Sequence, residues 1–312
     1  MEKINISPEN SSIRADIFLA QYFDTSRKQV SQALEKGLIL IDGSQKKSSY
    51  KLKGTEIIEY NPLFLQKEDI KILPQNIKLD IKYEDDELLV INKPKGMLTH
   101  PSAYEREDTL VNALMYHCGE NLCGSDPMRR GIIHRLDKDT SGLMLAAKTD
   151  FAAESLGSQI KNKTAKRKYL AIALGEFEQS EGIIDKPLVH YMDKTVKMQT
   201  APEGEGKNAL TYYRVLEQFR GAALVELELK TGRTHQIRVH LKSLNHPIFG
   251  DNLYGARGAL IEKYRGIKVE GQLLQSYFLS FTHPKNNEIM TFELEPADWD
   301  SDFTRVLKIM RG

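Results

Sequence analysis

Two carboxylates, Asp137 and Asp139, and two cations, Arg135 and Lys138, stand together in the stretch GIIHRLDKDTSGLML, Gly131 to Leu145. Flanking cations favour an ionised carboxylate, the form that acts as nucleophile or base. Asp137 holds that position, and the stretch reads as an active site with Asp137 as its carboxylate. Apolar residues close on both sides, Ile132 and Ile133 before and Leu143 to Leu145 after, so the polar residues sit on a loop held by buried ends. A loop anchored in this way positions side chains without wandering. Thr140, Ser141 and Gly142 supply short donors and a permissive backbone as the chain turns away, and Thr140 is placed to touch a substrate.

Two further stretches carry chemistry. From Lys161 to Lys168 there are five basic residues and no acid. Charge runs are as a rule solvated, but this one leads straight into an apolar strand, Tyr169 to Leu174. The other stretch is Lys230 to Leu241, KTGRTHQIRVHL. Counted as a helix, it puts Thr234, Arg238 and Leu241 on one face and turns His235 and Lys242 elsewhere.

An isolated Arg-Leu-Asp-Lys is more often an exposed turn than a site, because structural ion pairs also surround carboxylates. Three motifs in one order are more specific. His134-Arg135-Leu136-Asp137 with Thr140-Ser141-Gly142, then Lys168-Tyr169-Leu170-Ala171, then Lys230 to Leu241 resemble the signature segments of the RluA/RluD-type pseudouridine synthases. Asn92 to Met97, Thr99 to Ser102, His246 to Asp251 and Tyr277 to Pro284 are similar to further segments of that family. The resemblance implies an isomerase, an intramolecular transferase that converts uridine in RNA to pseudouridine with no cofactor and no metal. It gives Asp137 the catalytic role, as nucleophile on the anomeric sugar carbon or as base at the adjacent carbon. It further implies that Tyr169 packs against the target base with a share in proton transfer. Arg238 would pair with Asp137 through a bidentate contact that fixes both carboxylate oxygens. Arg135 would hold the flipped nucleotide or fill the space it leaves. Arg233 and His235 would meet RNA phosphate, and Lys166, Arg167 and Lys168 are assigned to RNA binding. His100 is read as structural or RNA-contacting. Relatives often have Leu-His where this chain has Leu274-Gln275, so Gln275 is given no role.

These residues need elements to hold them. Residues 108–116 read as helix, as do Asp150 to Lys161, with Asp150 as its N-cap. Ile183 to Met198, Asn208 to Glu217 and Ala222 to Leu229 alternate as antiparallel strands do. The expected fold is an α/β (α+β) catalytic domain over residues 76–312, with a mixed, mainly antiparallel sheet and a central cleft. A smaller domain over residues 1–75 precedes it, closing in a linker from Asn61 to about Lys78. In that smaller domain Ile17 to Phe23 and Lys28 to Lys36 read as helices. The second is capped by Thr25 or Ser26 and stopped by Lys36-Gly37. A strand at Leu38 to Ile41, a hairpin turn at Asp42-Gly43 and a strand at Glu56 to Tyr60 follow. The order Arg14, Asp16, Phe18-Leu19, Ser26-Arg27, Lys36-Gly37, Ile41-Asp42-Gly43 is similar to the RNA-binding domain named after ribosomal protein S-four. That likeness implies that Arg14, Arg27, Lys28 and Lys36 line an RNA-facing surface. The family often has Gly-Asp before the last strand, whereas this chain has Gly54-Thr55.

Composition bounds the rest. With 312 residues, 40% hydrophobic and 28% charged, the chain is ordinary globular material and long enough for two cores. A net charge of +1 does not exclude a nucleic-acid partner, which needs a local basic surface and not a basic total. The start MEKINISPENSS lacks the apolar core of a signal peptide, and no apolar run approaches the roughly 20 residues of a membrane span. Two cysteines, Cys118 and Cys123, are too few for a zinc cage and read as reduced thiols. The expectation is a cytoplasmic monomer whose partner is RNA. An S-four-like module beside synthase motifs points to large-subunit ribosomal RNA. The alternatives are a synthase for transfer RNA, a non-catalytic ribosome assembly factor, and a nucleoside hydrolase that would release free uracil.

Overall fold

The structure, a computed structural model, describes residues 1–65, 71–102, 105–119, 122–191, 196–202, 204–255 and 266–312. It divides into two compact units, Met1–Lys71 and Ile72–Gly312. Residues 66–70 of the stretch read as linker and 192–195 of the strand reading at 183–198 lie outside the described residues.

In the first unit, β1 (Glu2–Asn5) precedes α1 (Ala15–Tyr22), α2 (Arg27–Glu35), β2 (Ile39–Ile41) and β3 (Ile57–Tyr60). The three strands form an antiparallel sheet in the order β1-β3-β2. Helix α2 starts where Ser26 accepts a hydrogen bond from the Gln29 amide at 3.2 Å, so Ser26 and not Thr25 is the cap. Asp42 and Gly43 sit at φ 50° and 68°, the left-handed pair that a two-residue hairpin turn requires. Leu19, Val30, Leu34, Ile39, Ile41 and Ile58 make the core. Phe64, in a single 3-10 turn at Pro62–Leu65, is buried with them. The start of the stretch read as linker is therefore part of the first unit's core. At the other end Ile72 is buried and Leu73 accepts a hydrogen bond from Asn112, which ties that end to the second unit.

Asp16 and Glu56 are buried carboxylates of this unit, and Asp16 is the one held by cations. Its carboxylate takes Arg14 Nε at 2.9 Å on one oxygen and Arg27 Nη2 at 2.6 Å on the other. Burial pushes Asp16 upward, but the two guanidinium groups outweigh it and hold the carboxyl below its ordinary 3.8.

In the second unit the elements run β4 (Ile81–Glu84), β5 (Leu88–Lys93), α3 (Leu110–Cys118), β6 (Ser141–Ala147), α4 (Asp150–Asn162), β7 (Lys166–Leu174) and β8 (Glu181–Asp185). There follow β9 (Leu188–His190), β10 (Met198–Thr200), β11 (Leu210–Phe219), β12 (Ala222–Leu229), α5 (Gln236–Ser243), β13 (Leu274–Thr282), β14 (Ile289–Glu293) and α6 (Ser301–Arg311). A nine-stranded sheet is ordered β4-β5-β6-β13-β7-β12-β11-β8, with β14 also on β13. The sheet is mixed and mainly antiparallel: among the described residues β6 and β13 form the one parallel pair. Strand alternation sorts the core into two faces. Leu89, Ile91, Met144, Ala171, Val225 and Leu227 face α3 and α5, while Leu88, Val90, Leu143 and Leu145 face α4. On that second side Leu170, Ile172 and Leu224 pack on Phe303, Val306 and Leu307 of α6. Helix α4 is capped by Thr149, one residue before Asp150, because the Thr149 hydroxyl accepts the Ala152 amide at 3.1 Å.

The β6–β13 seam fixes the loop that leads into it. Gly142 has φ 113°, and a Cβ there would lie 2.1 Å from the Ser276 carbonyl oxygen, so only glycine lets the strands meet.

Asp16→Asn should lower the stability of residues 1–71 by about 1 kcal/mol, since the exposed outer edges of the two guanidinium groups screen the loss. In the wild type this contribution is fully present above the unfolded value of 3.8 and disappears as the pH falls through the lower folded value. Amide exchange across residues 1–71 of the full chain, followed from neutral pH into acid, should lose protection in that window in the wild type and show a weaker pH dependence in Asp16→Asn.

Candidate active site

The loop from Gly131 to Thr140 is bridged to β6 by backbone only at its start, Ile132 to Ala146, and side-chain bonds hold much of the rest. His134 turns inward and its Nε2 accepts the Leu145 amide at 3.0 Å, tacking the loop to β6. Leu136 is buried. Thr99 holds its backbone from both sides, accepting the Leu136 amide at 3.2 Å and donating to the Leu136 carbonyl at 2.8 Å. The amine of Lys93, wholly buried at the end of β5, donates to the carbonyls of Pro94 at 2.8 Å, Met97 at 2.9 Å and Lys138 at 3.2 Å. Burial pushes Lys93 down to about 7, with Asp139 and Asp137 pulling the other way. The Thr140 amide closes a turn on the Asp137 carbonyl at 3.1 Å, and its hydroxyl accepts from Gln272 at 3.1 Å.

Between these anchors Asp137 is presented with its side chain 18% exposed. Its Oδ2 accepts Arg238 Nη1 at 2.9 Å, and His235 Nε2 lies 3.9 Å from the same oxygen. Among the described residues no donor bonds Oδ1. The cation beside Asp137 is thus Arg238 and not Lys138, whose amine turns outward to Glu105 at 3.1 Å.

Arg238 is itself divided. Its two-pronged contact is with Asp251, Nε to Oδ2 at 2.7 Å and Nη2 to Oδ1 at 2.9 Å. The expected bidentate pairing with Asp137 is therefore corrected to a single hydrogen bond, because the fork already faces Asp251. Asp251 Oδ1 also accepts the amides of Leu253 and Tyr254 at 3.0 and 2.9 Å. Burial alone would lower the guanidinium's pKa, but Asp251 and Asp137 more than reverse this, raising it above its ordinary value.

Helix α5 begins only at Gln236, with His235 in the left-handed conformation at φ 55° before it. That kink overturns the helical-face reading: Thr234 lies outside the helix, and His235 turns toward Asp137 together with Arg238. Tyr254 Oη accepts the Met198 amide at 2.7 Å and is hydrogen-bonded to His235 Nδ1 at 2.9 Å. Nε2 is the ring nitrogen nearest Asp137. Burial lowers the His235 pKa, Asp137 opposing, which keeps the ring neutral. Gln236 braces the turn before the helix, accepting from Thr231 at 2.7 Å and the Arg233 amide at 3.0 Å while donating to Leu210 and Thr211 at 3.0 and 2.9 Å.

The remaining candidates separate by strand alternation. Tyr169 and Arg167 on β7 are buried on the side of Asp137. Lys166 and Lys168 point to the opposite face, where Lys168 pairs with Glu226 at 3.4 Å. The strand starts at Lys166, so the three residues assigned to RNA binding divide between its two faces. Burial pushes the Tyr169 phenol up, so it stays protonated. Arg135 is exposed beside the site, and Arg233, also exposed, donates Nε to the Asn208 carbonyl at 3.0 Å. Arg14, Arg27, Lys28 and Lys36 all belong to the first unit. Arg14 and Arg27 grip Asp16 there, whereas Lys28 and Lys36 are exposed. Gln275 is buried and its Oε1 accepts the Asp300 amide at 2.9 Å, a structural part.

Asp137, Tyr169, His235 and Arg238 line a recess of about 60 Å³, roofed by Leu229 and Leu274. A cavity of about 640 Å³ adjoins it through Asp137, Tyr169 and Arg233. An apolar recess with one half-buried carboxylate, one oxygen tied and the other open, suits attack on or deprotonation of a sugar held against a flat base. Among the described residues no three His, Cys, Asp or Glu cluster as metal ligands do, and no helix is long and apolar enough to cross a membrane.

A model of the RNA pseudouridylate synthase family matches residues 87–243, the span that holds the loop, Tyr169 and Arg238. The chain belongs to that family. The uncharacterized RNA pseudouridine synthase YlyB of Bacillus subtilis is 42% identical over 310 residues, 99% of this chain and 97% of that one. The ribosomal large subunit pseudouridine synthase D of Vibrio vulnificus is 39% identical over 303 residues, 95% and 91% of the two chains. The solved structure of human RNA pseudouridylate synthase domain containing 4 aligns with a TM-score of 0.57 at 26% identity, covering 74% of this chain and 93% of its own. The protein is accordingly an isomerase that converts uridine in RNA to pseudouridine. Sequence reasoning passed over Asp251, Tyr254, Gln236, Thr99 and Lys93 in this pseudouridine synthase. Lys93, Thr99, Gln236 and Asp251 sit in segments already matched to the family, and that was the available signal.

Asp251→Asn removes the stronger of Arg238's two partners. We expect a stability loss of about 3 kcal/mol and a turnover loss of about 100-fold, read by urea melts and by single-turnover isomerisation. Thr99→Val leaves both backbone groups of Leu136 buried and unbonded, which should cost about 1–3 kcal/mol in the same melts.

Proposed function

We propose that this isomerase modifies uridines of large-subunit ribosomal RNA in the cytoplasm, with Asp137 as the carboxylate on which the reaction turns. The observation that carries the role of Asp137 is its half-tied state: Oδ2 is held by Arg238 at 2.9 Å and Oδ1 is left to a substrate. The ribosomal substrate is supported by the names of the relatives described above.

The reaction breaks the bond from sugar C1′ to uracil N1, turns the base, joins C5 to C1′, releases the C5 proton and leaves N1 carrying a proton in its place. Asp137 Oδ1 either bonds C1′ or takes the proton from C2′. In both routes the carboxylate is charged before the step and neutral after it; the Arg238 N–H on Oδ2 holds the charged form in place with Oδ1 free, and His235 Nε2 lies 3.9 Å from the same oxygen. Deuterium at C2′ separates the routes, slowing only the second. The freed uracil is held between Tyr169 and the apolar walls Leu229 and Leu274. Stacking on Tyr169 contributes about 1–3 kcal/mol, and the raised phenol pKa leaves its neutral hydroxyl, not a phenolate, to meet the base. The target must first leave its stack, at a cost of a few kcal/mol that is least in loops. Arg135, exposed two residues before Asp137, is placed to take the vacated space. The first unit adds RNA affinity through Lys28, Lys36 and the outer edges of Arg14 and Arg27.

Transcribed large-subunit ribosomal RNA and transfer RNAs, labelled with tritium at uracil C5, test this. Wild-type protein should release tritium from the ribosomal RNA and no free uracil. Asp137→Ala should lose release by at least about 10⁴-fold while still binding. Release from transfer RNA alone would overturn the substrate assignment, and release by Asp137→Ala would overturn the role of Asp137.

A further inference from the structure

Two residues that line the 640 Å³ cavity each carry a buried donor with nothing to bond. His134 is 8% exposed and Arg167 9% exposed. His134 Nε2 accepts the Leu145 amide, and a backbone amide can only donate, so Nε2 is the lone-pair nitrogen and the ring proton sits on Nδ1. Nδ1 is buried without a partner. Burial, and Arg167 nearby, press the ring down to about 3, so it gains no second proton near neutral pH. Arg167 Nε is likewise buried without a partner, and no carboxylate among the described residues pairs with its guanidinium. The contrast with its surroundings is sharp. Lys168 is paired with Glu226, and Arg238 holds two carboxylates. A buried cation and a buried N–H left unmatched side by side call for an acceptor, and one supplied from outside is an explanation.

The cavity indicates what that is. Lys161, Lys163 and Lys230 add to its positive rim, and Asp137 is the single carboxylate among its described lining residues. We propose that His134 Nδ1 and the Arg167 guanidinium form a subsite for one phosphodiester of the substrate strand, close to the target uridine. This rests on the RNA synthase reading and adds to it a particular phosphate and a positioning residue, His134. A phosphate offers two non-bridging oxygens, one for the neutral N–H and one for the guanidinium, and its single negative charge compensates Arg167. A base carbonyl would satisfy the hydrogen bonds and leave the charge. His134 stands three residues before Asp137 on the same anchored loop, so a phosphate caught there sets the register of the strand against Asp137.

The two nitrogens of His134 can be tested apart. His134→Gln places a carboxamide oxygen near the Nε2 position for the Leu145 amide and nothing at Nδ1, whereas His134→Asn places a donor near Nδ1 and leaves that amide unbonded. Dissociation constants are measured by filter binding to transcribed large-subunit ribosomal RNA over a range of salt, with thermal melts alongside. Tritium release by the wild type on the same RNA reports on the synthase reading separately. Arg167→Gln should weaken binding and lower the slope of log Kd against log salt by about 0.7, one phosphate's share on a single strand. His134→Gln should weaken binding about tenfold with an unchanged slope and melting temperature, because a neutral donor releases no counterion. His134→Asn should melt lower yet bind near the wild-type level. An unchanged slope in Arg167→Gln overturns the phosphate in favour of a neutral acceptor. Wild-type affinity in His134→Gln, or equal losses in both His134 variants, overturns the role of Nδ1 and reduces His134 to a loop anchor.

Discussion

Arg238 is shared between two carboxylates, and the sharing is unequal. Asp251 takes two hydrogen bonds, accepts two backbone amides besides, and forms with Arg238 a pair that is neutral as a whole. Asp137 takes the remaining N–H. A single carboxylate facing the guanidinium of Arg238 squarely would be fully occupied by it. Because Asp251 neutralises the cation, Asp137 can be aimed by it without being saturated. The loop anchors, the left-handed turn at His235 and the Tyr254 hydroxyl all serve to keep that geometry.

The elements that the sequence made legible are those whose signal is local. The hairpin at Asp42-Gly43, the helix ends at Ser26 and Gly37, and the long alternating strands at Asn208 to Leu229 each depend on residues within one or two turns of chain. The mixed, mainly antiparallel sheet followed from those strands. What escaped was set by distant partners. β1 is four residues long and is a strand only because β3 lies beside it. The bidentate partner of Arg238 is thirteen residues away across a helix end, so periodicity on α5 could not point to it.

The site residues show the same division. Asp137, Tyr169, His235 and Arg238 meet around one recess although they come from three separate motifs. The basic run divides for a simple reason: once β7 begins, neighbours look in opposite directions, and a count of charges cannot tell which way each will face. Thr234 and His235 failed because a single positive φ shifts the start of a helix, and nothing about a histidine announces that it will adopt one.

β13 lies between β6 and β7 in the middle of the large sheet, although it is nearly the last strand in the chain. Gly142, at the exit of the Asp137 loop, is seated against Ser276 of that strand. On the ribosome the chain emerges from its N-terminus, so Asp137, Tyr169 and Arg238 are all synthesised before the strand that draws β6 and β7 together. The half-made protein therefore has every reactive group and no assembled cleft. Closure of the sheet by a late, non-local strand is slow compared with local folding, so the cleft is among the last parts of the second unit to be assembled.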